Sequence, residues 1–475
     1  METSPKLFVG RAFELEQLEQ LKQKNSAQII VVYGRRRVGK TTLIHKAFED
    51  RALIKFEGLE NQPTNVQRTV FFERMSAYFN ITHKTASDFA NWRDLLVFLY
   101  DYIKTGEKTV YLEEFQWMAE YSDELISDLK YIWDNYWSKN PKLVLIICGS
   151  APSFLIDKVM HSKALYNRSQ REFSIEELSL AEVGELLGKS RSKSEILDAY
   201  LGMGGIPEYV QYLKDESSVY LSICKNSFIK NGFFANEFQR IFVSNLAQNP
   251  NYKNIIETLA LRGSMTKVEI VKQIGAKMGG GITDVFSDLL KCNFIGVYAP
   301  IAYGVEKRLS KYYLRDSYLH FYYRFIKPLT SRINNNDFHK NYTQPLNNRD
   351  YRQWLGYSFE RFCLKINRQI AEMLGFSGVE YSLGPMYLRN DQTKTQIDLV
   401  FQRKDKVLTI CEIKYQETPP DSKVIDEFER KIRVLDKFRN YSIQKILISP
   451  NGVSKDLFAR HYFDRIIGLE ELLPG

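Results

Sequence analysis

The apolar run Gln28–Tyr33 leads straight into Gly34-Arg35-Arg36-Arg37-Val38-Gly39-Lys40-Thr41-Thr42, and no other stretch constrains the fold as tightly. A β-branched run, then G-x-x-x-x-G-K-[ST], then a helical pattern is the strand–loop–helix of a phosphate-binding loop. Gly34 and Gly39 permit a turn whose backbone N–H groups point inward, at the positive end of the helix that follows. In that geometry Lys40 brings a point charge to the β- and γ-phosphates of a nucleotide, and the Thr41 hydroxyl is a Mg²⁺ ligand with Thr42 beside it. Further strand signals at Thr109–Leu112, Leu143–Cys148 and Arg171–Ile175 flank helical stretches at Trp92–Ile103 and Asp123–Trp137, and Phe13–Leu21 forms a helix ahead of the first strand. Strands alternating with helices predict an α/β core on a parallel sheet.

The second strand ends in two acids, Glu113 and Glu114. In P-loop ATPases an acid here holds Mg²⁺ and the next orients the attacking water, which gives Glu113 the metal side and Glu114 the water side. Glu113 is one methylene longer than the usual Asp, and Mg²⁺ demands near-ideal octahedral geometry, so nucleotide binding is easier to satisfy than fast hydrolysis. A plain polar strand end is the other reading. Ser150, at the end of the third strand, is either a contact to the γ-phosphate or its water, or a turn residue. Arg168 is either a phosphate contact, in its own or a neighbouring subunit, or a solvated side chain.

From Ser179 to Phe242 helical patterns dominate, broken sharply at Gly202–Pro207. Three short helices follow, at Tyr252–Leu261, Lys267–Ile274 and Thr283–Cys292, then strand-like runs at Gly296–Tyr303 and Lys311–Leu314. That is the plan of a winged helix-turn-helix. Its third helix carries Asp284 and Asp288 against Lys291 alone, which suits packing better than phosphate contact. Lys307, Arg308 and Lys311 in the wing are better placed for nucleic acid.

Asn334–Asp337 and Asn347–Asp350 bracket a polar linker. Beyond it, strands are expected at Gln396–Gln402, Val407–Tyr415 and Lys445–Ser449. Asp398 and the run Glu412-Ile413-Lys414 have the D…E-x-K form of the PD-(D/E)xK nuclease fold. Asp398 is expected to start one strand, while Glu412 and Lys414 share a face of the next because strand side chains alternate. Two carboxylates can hold a Mg²⁺ that polarises a phosphate, Lys414 can orient the water or neutralise charge, and Glu360 on the preceding helix can complete the set. A solvated strand face is the alternative, and some domains of this fold bind without cleaving.

The chain of 475 residues is long enough for about three domains. No stretch approaches the ~18 apolar residues of a membrane span. The first residues lack the basic-then-apolar pattern of a secretory signal, so the cytosol is the expected compartment. Five scattered cysteines without a C-x-x-C pair read as buried, reduced thiols, and the histidines show no zinc spacing. A net charge of +9 leans modestly toward a polyanion partner.

Taken in order, these motifs resemble the archaeal-type ATPase family of the STAND branch of AAA+ proteins. Phe8-Val9-Gly10-Arg11 with Glu14 and Leu18 looks like the family's F-x-G-R-x-x-E-x-x-x-L opening motif, and Glu113-Glu114-Phe115-Gln116 is similar to its D-E-F-Q signature, departing at the first acid. Cys148-Gly149-Ser150 resembles its sensor strand, Leu165-Tyr166-Asn167-Arg168 its L-Y-G-R segment with Asn for Gly, and Gly205-Ile206-Pro207 the G-x-P turn of its helical lid. Tyr313–Asp316 and Phe321–Phe325 look like the segment that follows the winged helix. The resemblance implies that Gly10 and Arg11 pack near the adenine, that Pro207 contacts nucleotide, and that a nuclease-like module follows. The expected organisation is a P-loop core over 1–178, a lid over 179–245, a winged helix and following helix over 246–333, a linker over 334–350, and a restriction-endonuclease-like α/β domain over 351–475. The expected cofactors are ATP and Mg²⁺, and the partners compatible with it are DNA and a second copy of the chain, with no membrane. The function expected is an ATP-driven switch coupled to a DNA-binding or Mg²⁺-dependent nuclease-like domain. A slow nucleotide-gated regulatory protein without nuclease activity is the alternative, and a plain nuclease with an ATPase remnant is a further one.

Overall fold

In the computed structural model, helix α1 (Ala12–Lys22) leads into strand β1 (Gln28–Tyr33), and the chain then alternates through α2 (Lys40–Ala47), β2 (Leu53–Glu57), α3 (Thr64–Phe79), α4 (Trp92–Ile103), β3 (Lys108–Glu113), α5 (Phe115–Met118), α6 (Glu124–Asn135), β4 (Leu143–Gly149) and β5 (Ser169–Ser174). The described residues are all but 1–7, 161–168, 246–248, 300, 302–309, 390–393, 434, 436, 437, 439 and 475. Among them the chain divides into two compact units. One takes in Met1–Glu177, Val243–Gln248 and Ser287–Cys292, and the other Leu178–Phe242, Asn249–Phe286 and Asn293–Gly475.

In the first unit the strands are parallel in the order β2-β3-β4-β1-β5. One face of the sheet presents Ile29, Val31, Val110, Leu112, Leu145 and Ile147 to Phe71, Trp92, Leu99 and Leu129 of the helices, all buried. Each such side chain contributes ~1.5–3 kcal/mol relative to exposure, so this layer fixes the strand ends on which the site is built. Strand β4 lies between the phosphate-loop strand and the acidic strand. All three end on the carboxyl edge, where open α/β sheets bind ligands. Strand β2 is additional to those expected: it alternates buried Ile54 and Phe56 with Lys55 and Glu57, so it is only half apolar and does not stand out as a buried run.

The second unit opens with helices α7 (Leu180–Leu187), α8 (Lys193–Met203), α9 (Pro207–Tyr212), α10 (Val219–Phe228) and α11 (Phe233–Asn245), the last of which is assigned to the first unit from Val243 on. The break between α8 and α9 has a backbone cause. Gly204 sits at φ 77°, and a Cβ on Gly205 would lie 2.0 Å from the Leu178 carbonyl oxygen. Pro207 then starts α9 at a position where its missing N–H costs nothing. Next come α12 (Pro250–Arg262), β6 (Met265–Thr266), α13 (Lys267–Gln273), α14 (Gly280–Lys291, assigned to the first unit from Ser287 on), β7 (Ile295–Tyr298) and β8 (Lys311–Leu314), and the three strands pair antiparallel in the order β6-β8-β7.

Helices α15 (Ser317–Phe321) and α16 (Thr330–Asn334) lead to the segment expected as a polar linker. It is packed rather than free: Phe338 and Leu346 are buried, and the Leu346 carbonyl accepts from the Tyr220 hydroxyl at 2.6 Å. Helix α17 (Asn348–Lys365) begins inside the expected linker, capped by Asn347. After α18 (Asn367–Met373) come β9 (Tyr381–Arg389), β10 (Lys394–Arg403), β11 (Val407–Ile413), α19 (Lys423–Ile432), β12 (Ser442–Ile448), α20 (Lys455–Ala459), β13 (Arg465–Ile467) and α21 (Leu469–Leu472). These strands form a mixed sheet, antiparallel from β9 to β11 and parallel from β11 to β13. The five cysteines are buried free thiols. Among the described residues no helix is long and apolar enough to cross a membrane.

Candidate functional site

The phosphate loop is held by close backbone approaches. A Cβ on Gly34 would come within 2.3 Å of the Ile175 carbonyl oxygen, so only glycine fits where the loop leaves β1. Arg37 and Gly39 have φ of 71° and 93°, and Gly39 caps helix α2. Lys40 is buried, and its ammonium donates to the Gly34 and Arg35 carbonyls at 2.9 and 3.0 Å. It therefore spans the loop. Thr42 is exposed on the same turn.

Gly10 and Arg11 are both left-handed, with φ of 70° and 63°. They turn the Arg11 guanidinium onto the carbonyls of Val38, at 3.1 Å, and Glu176, at 2.5 Å. Arg11 thus braces the phosphate loop against the chain that follows β5.

Thr41 and Glu113 meet directly, the Thr41 hydroxyl donating to Glu113 Oε1. The longer acid therefore reaches the loop without an intermediary. Its other oxygen pairs with Lys55 of β2, which also lies 3.1 Å from Glu57. Burial opposes the charge on Glu113, but the Lys55 and Thr41 hydrogen bonds outweigh it and hold the carboxyl below its ordinary pKa. Glu113 first and Glu57 second, working against burial, raise the Lys55 ammonium above its ordinary value. Lys55 was not anticipated from the sequence; its place next to Glu113 depends on β2 pairing with β3.

Glu114 adopts φ 48°, ψ 49°, a strained region for a residue with a side chain. Its Oε2 accepts from Gln116 at 2.6 Å and from the Ser150 hydroxyl and backbone N–H at 2.8 and 3.2 Å. Gly149 leaves room for this, since a Cβ there would come within 2.2 Å of Gln116 Oε1. Ser150 thus fixes the direction of Glu114. Arg168, Lys307 and Arg308 lie outside the described residues. Pro207 belongs to the second unit, at the start of α9.

A second set of candidates lies in the second unit. Glu360 of α17, Asp398 of β10, Glu412 of β11 and Lys414 line one cleft, together with Tyr357 and Lys431. Asp398 is not at a strand start as expected. It lies within β10, where the pairing with β9 shifts register between Ile397 and Val400. Glu412 is 1 % exposed, with Lys431 at 2.6 Å from Oε2 and Lys414 at 3.2 Å from Oε1. Lys414 also pairs with Glu427 at 2.9 Å. Glu427 and Lys431, four apart on α19, were missed; their i,i+4 spacing on one helix face was the available signal. Burial first, and the charge of Asp398 second, push the Glu360 carboxyl up to about 7; burial and Glu412 push Asp398 up to about 6. Among the described residues no three acids, imidazoles or thiols gather closely enough to hold a metal ion.

Residues 8–213 match a family described as an ATPase domain predominantly from Archaea, and residues 322–427 match a family of archaeal and bacterial proteins of unknown function. An uncharacterized protein of Methanocaldococcus jannaschii is 28% identical over 455 residues, which cover 94% of this chain and 98% of that one. An uncharacterized ATP-binding protein of the same organism is 51% identical over 47 residues, 10% of this chain and 80% of its own. Among solved structures, a Walker-type ATPase of Pyrococcus abyssi aligns at 20% identity and a TM-score of 0.47, covering 67% of this chain and 96% of that one. The ORC2 protein of Aeropyrum pernix, in ADPNP–ADP complexes, aligns at 12% identity and a TM-score of 0.47, covering 71% and 97%. With the family match spanning the P-loop and the acidic strand, the chain is an ATP-binding ATPase.

Proposed function

We propose that this chain is an ATP-driven switch in which the nucleotide state of the P-loop domain governs a C-terminal module that contacts DNA. The observation that carries it is the meeting of Thr41 and Glu113 beside the loop spanned by Lys40. A hydroxyl and a carboxylate within hydrogen-bonding reach form a hard oxygen pair that fits Mg²⁺. Thr41 and Glu113 would hold that ion, which when bound neutralises charge on the β- and γ-phosphates. Lys40 exchanges the carbonyls of Gly34 and Arg35 for phosphate oxygens. Glu114, aimed by Ser150 and Gln116, orients the attacking water. In this reading Arg168 is a further phosphate contact, from the same or a second copy of the chain. Residues 179–245 act as a lid of the STAND type, 246–333 as a winged helix, and 351–475 as a restriction-endonuclease-like domain.

Glu412 favours a second reading of the C-terminal module. With Lys414 on one oxygen and Lys431 on the other, it is neutralised rather than open to an ion, which fits a module that binds DNA or regulates and does not cleave.

The test is phosphate release by the wild type and Lys40→Ala, with Mg²⁺, with and without DNA. Release that depends on Lys40 and rises with DNA supports the switch. Release indifferent to DNA, with no DNA bound, removes the coupling. Mg²⁺-dependent cleavage that Lys414→Ala abolishes would decide for a nuclease over the second reading.

A further inference from the structure

Strands β2 and β3 pair with Glu57 opposite Glu113 and Lys55 opposite Tyr111. Side chains alternate along a strand, so Lys55, Glu57, Tyr111 and Glu113 stand on one face of the sheet. Two carboxylates directly opposite each other repel. Lys55 sits against both, touching Glu113 Oε2 and lying 3.1 Å from Glu57 Oε2. The two acids differ in surroundings, Glu113 being 10 % exposed and Glu57 55 %. The remaining Glu113 oxygen accepts from Thr41, so every oxygen of the inner acid is engaged.

We propose that Lys55 is a charge gate on the ATPase site: it holds Glu113 until a divalent cation arrives, then swings to Glu57, so Mg²⁺ affinity is set by competition for one carboxylate. This rests on the reading of Glu113 as the metal-side acid. The swing is a rotation within one flexible side chain that already touches both acids, and it needs no backbone movement. A cation entering beside Lys55 meets like charge unless the ammonium withdraws, and Glu57 compensates that charge at the solvent edge. Lys55 is a positioning residue: it acts through Glu113 and not on the phosphates.

The gate gives two neighbours opposite signs. The experiment measures equilibrium binding of a non-hydrolysable ATP analogue to the full chain across a Mg²⁺ series and in EDTA. Lys55→Gln is expected to lower the Mg²⁺ concentration at half-effect by roughly fivefold, the scale of one partly exposed ion pair. Glu57→Gln, which removes the second resting place, is expected to raise it. On a Glu113→Gln background Lys55→Gln should change nothing, and in EDTA Lys55→Gln should bind the analogue as the wild type does. Weaker binding by Lys55→Gln in EDTA would make Lys55 a phosphate ligand and overturn the gate. So would an unmoved Mg²⁺ midpoint in Lys55→Gln while Glu113→Gln moves it. If Glu113→Gln itself leaves the midpoint in place, the metal-side reading of Glu113 fails and takes the gate with it.

Discussion

The Tyr415 hydroxyl donates to the Asp198 carboxylate, tying the residue just past the Glu412–Lys414 pair to helix α8. Arg352 of α17 donates to the other Asp198 oxygen at 3.1 Å, and the acid is 14 % exposed. Burial raises the Asp198 pKa even though both partners pull it down. This is the costly kind of ion pair to break, because truncation leaves partners without their acceptor. Asp198→Ala is therefore expected to lower the unfolding free energy of the second unit by ~2–4 kcal/mol. Tyr415→Phe, which removes one hydrogen bond and leaves the charge pair, should cost ~1 kcal/mol. Denaturant unfolding of the full chain, followed through the transition of that unit, checks both. Equal costs for the two variants would mean that the acid's charge contributes little.

At the ATPase site, aim and chemistry separate by variant. Glu114→Gln keeps the size of the side chain and loses the charge that, in the proposed function, orients the attacking water. Turnover should fall by ~10²–10⁴ while nucleotide affinity holds. Ser150→Ala removes only a hydrogen bond that orients Glu114, so its loss should be roughly tenfold and confined to kcat. Single-turnover phosphate release beside equilibrium nucleotide binding reads the two effects apart. A Ser150→Ala loss in affinity would instead place the hydroxyl on the nucleotide, as one sequence reading has it.

Much of this arrangement could be read along the chain, and the exceptions share a cause. The phosphate loop, β3 with Glu113 and Glu114, and β4 with Ser150 are each marked by an uninterrupted apolar run closed by a polar motif, so local pattern suffices. Lys55 sits in a strand whose outward positions are charged, and its partner lies 58 positions away on a strand paired laterally. No periodicity reports which strands are neighbours. Arg11 illustrates a different limit. The motif places it by the nucleotide, and in the structure its guanidinium also holds the loop through the Val38 and Glu176 carbonyls, backbone acceptors that a sequence pattern does not name. Glu412 and Lys414 were legible as a pair because strand alternation puts them together. Lys431, which reaches Glu412 from helix α19, depends on how that helix lies on the sheet.

Lys431 offers a test of how the buried Glu412 carboxyl is held. The carboxylate is almost fully buried between Lys431 and Lys414. Lys431→Met keeps the aliphatic stem and removes the charge, leaving Lys414 shared between Glu412 and Glu427. The second unit should lose ~1–3 kcal/mol, and the pair Lys431→Met with Glu412→Gln should recover part of that loss. A double variant no more stable than the single one would show that Lys414 alone satisfies the acid.

The last expectation concerns pH. Glu360 rises from 4.5 to about 7 and Asp398 from 3.8 to about 6, both chiefly through burial. The folded cleft therefore holds protons that the unfolded chain would release. For acids whose folded pKa is raised, the stabilisation is complete below the unfolded values and is lost as pH climbs through the folded ones. In the absence of added divalent ions, the second unit should thus melt at a lower temperature near about pH 8 than near about pH 5, each kcal/mol appearing as ~2–4 °C. Glu360→Gln, neutral at every pH, should flatten that slope and be the more stable protein at the alkaline end. Thermal melts of the wild type and Glu360→Gln across this range carry the test. Parallel slopes for the two proteins would mean that Glu360 ionises in the fold as it does in the unfolded chain. In that case the cleft is wetter, and its two acids are farther from mutual repulsion, than their burial requires.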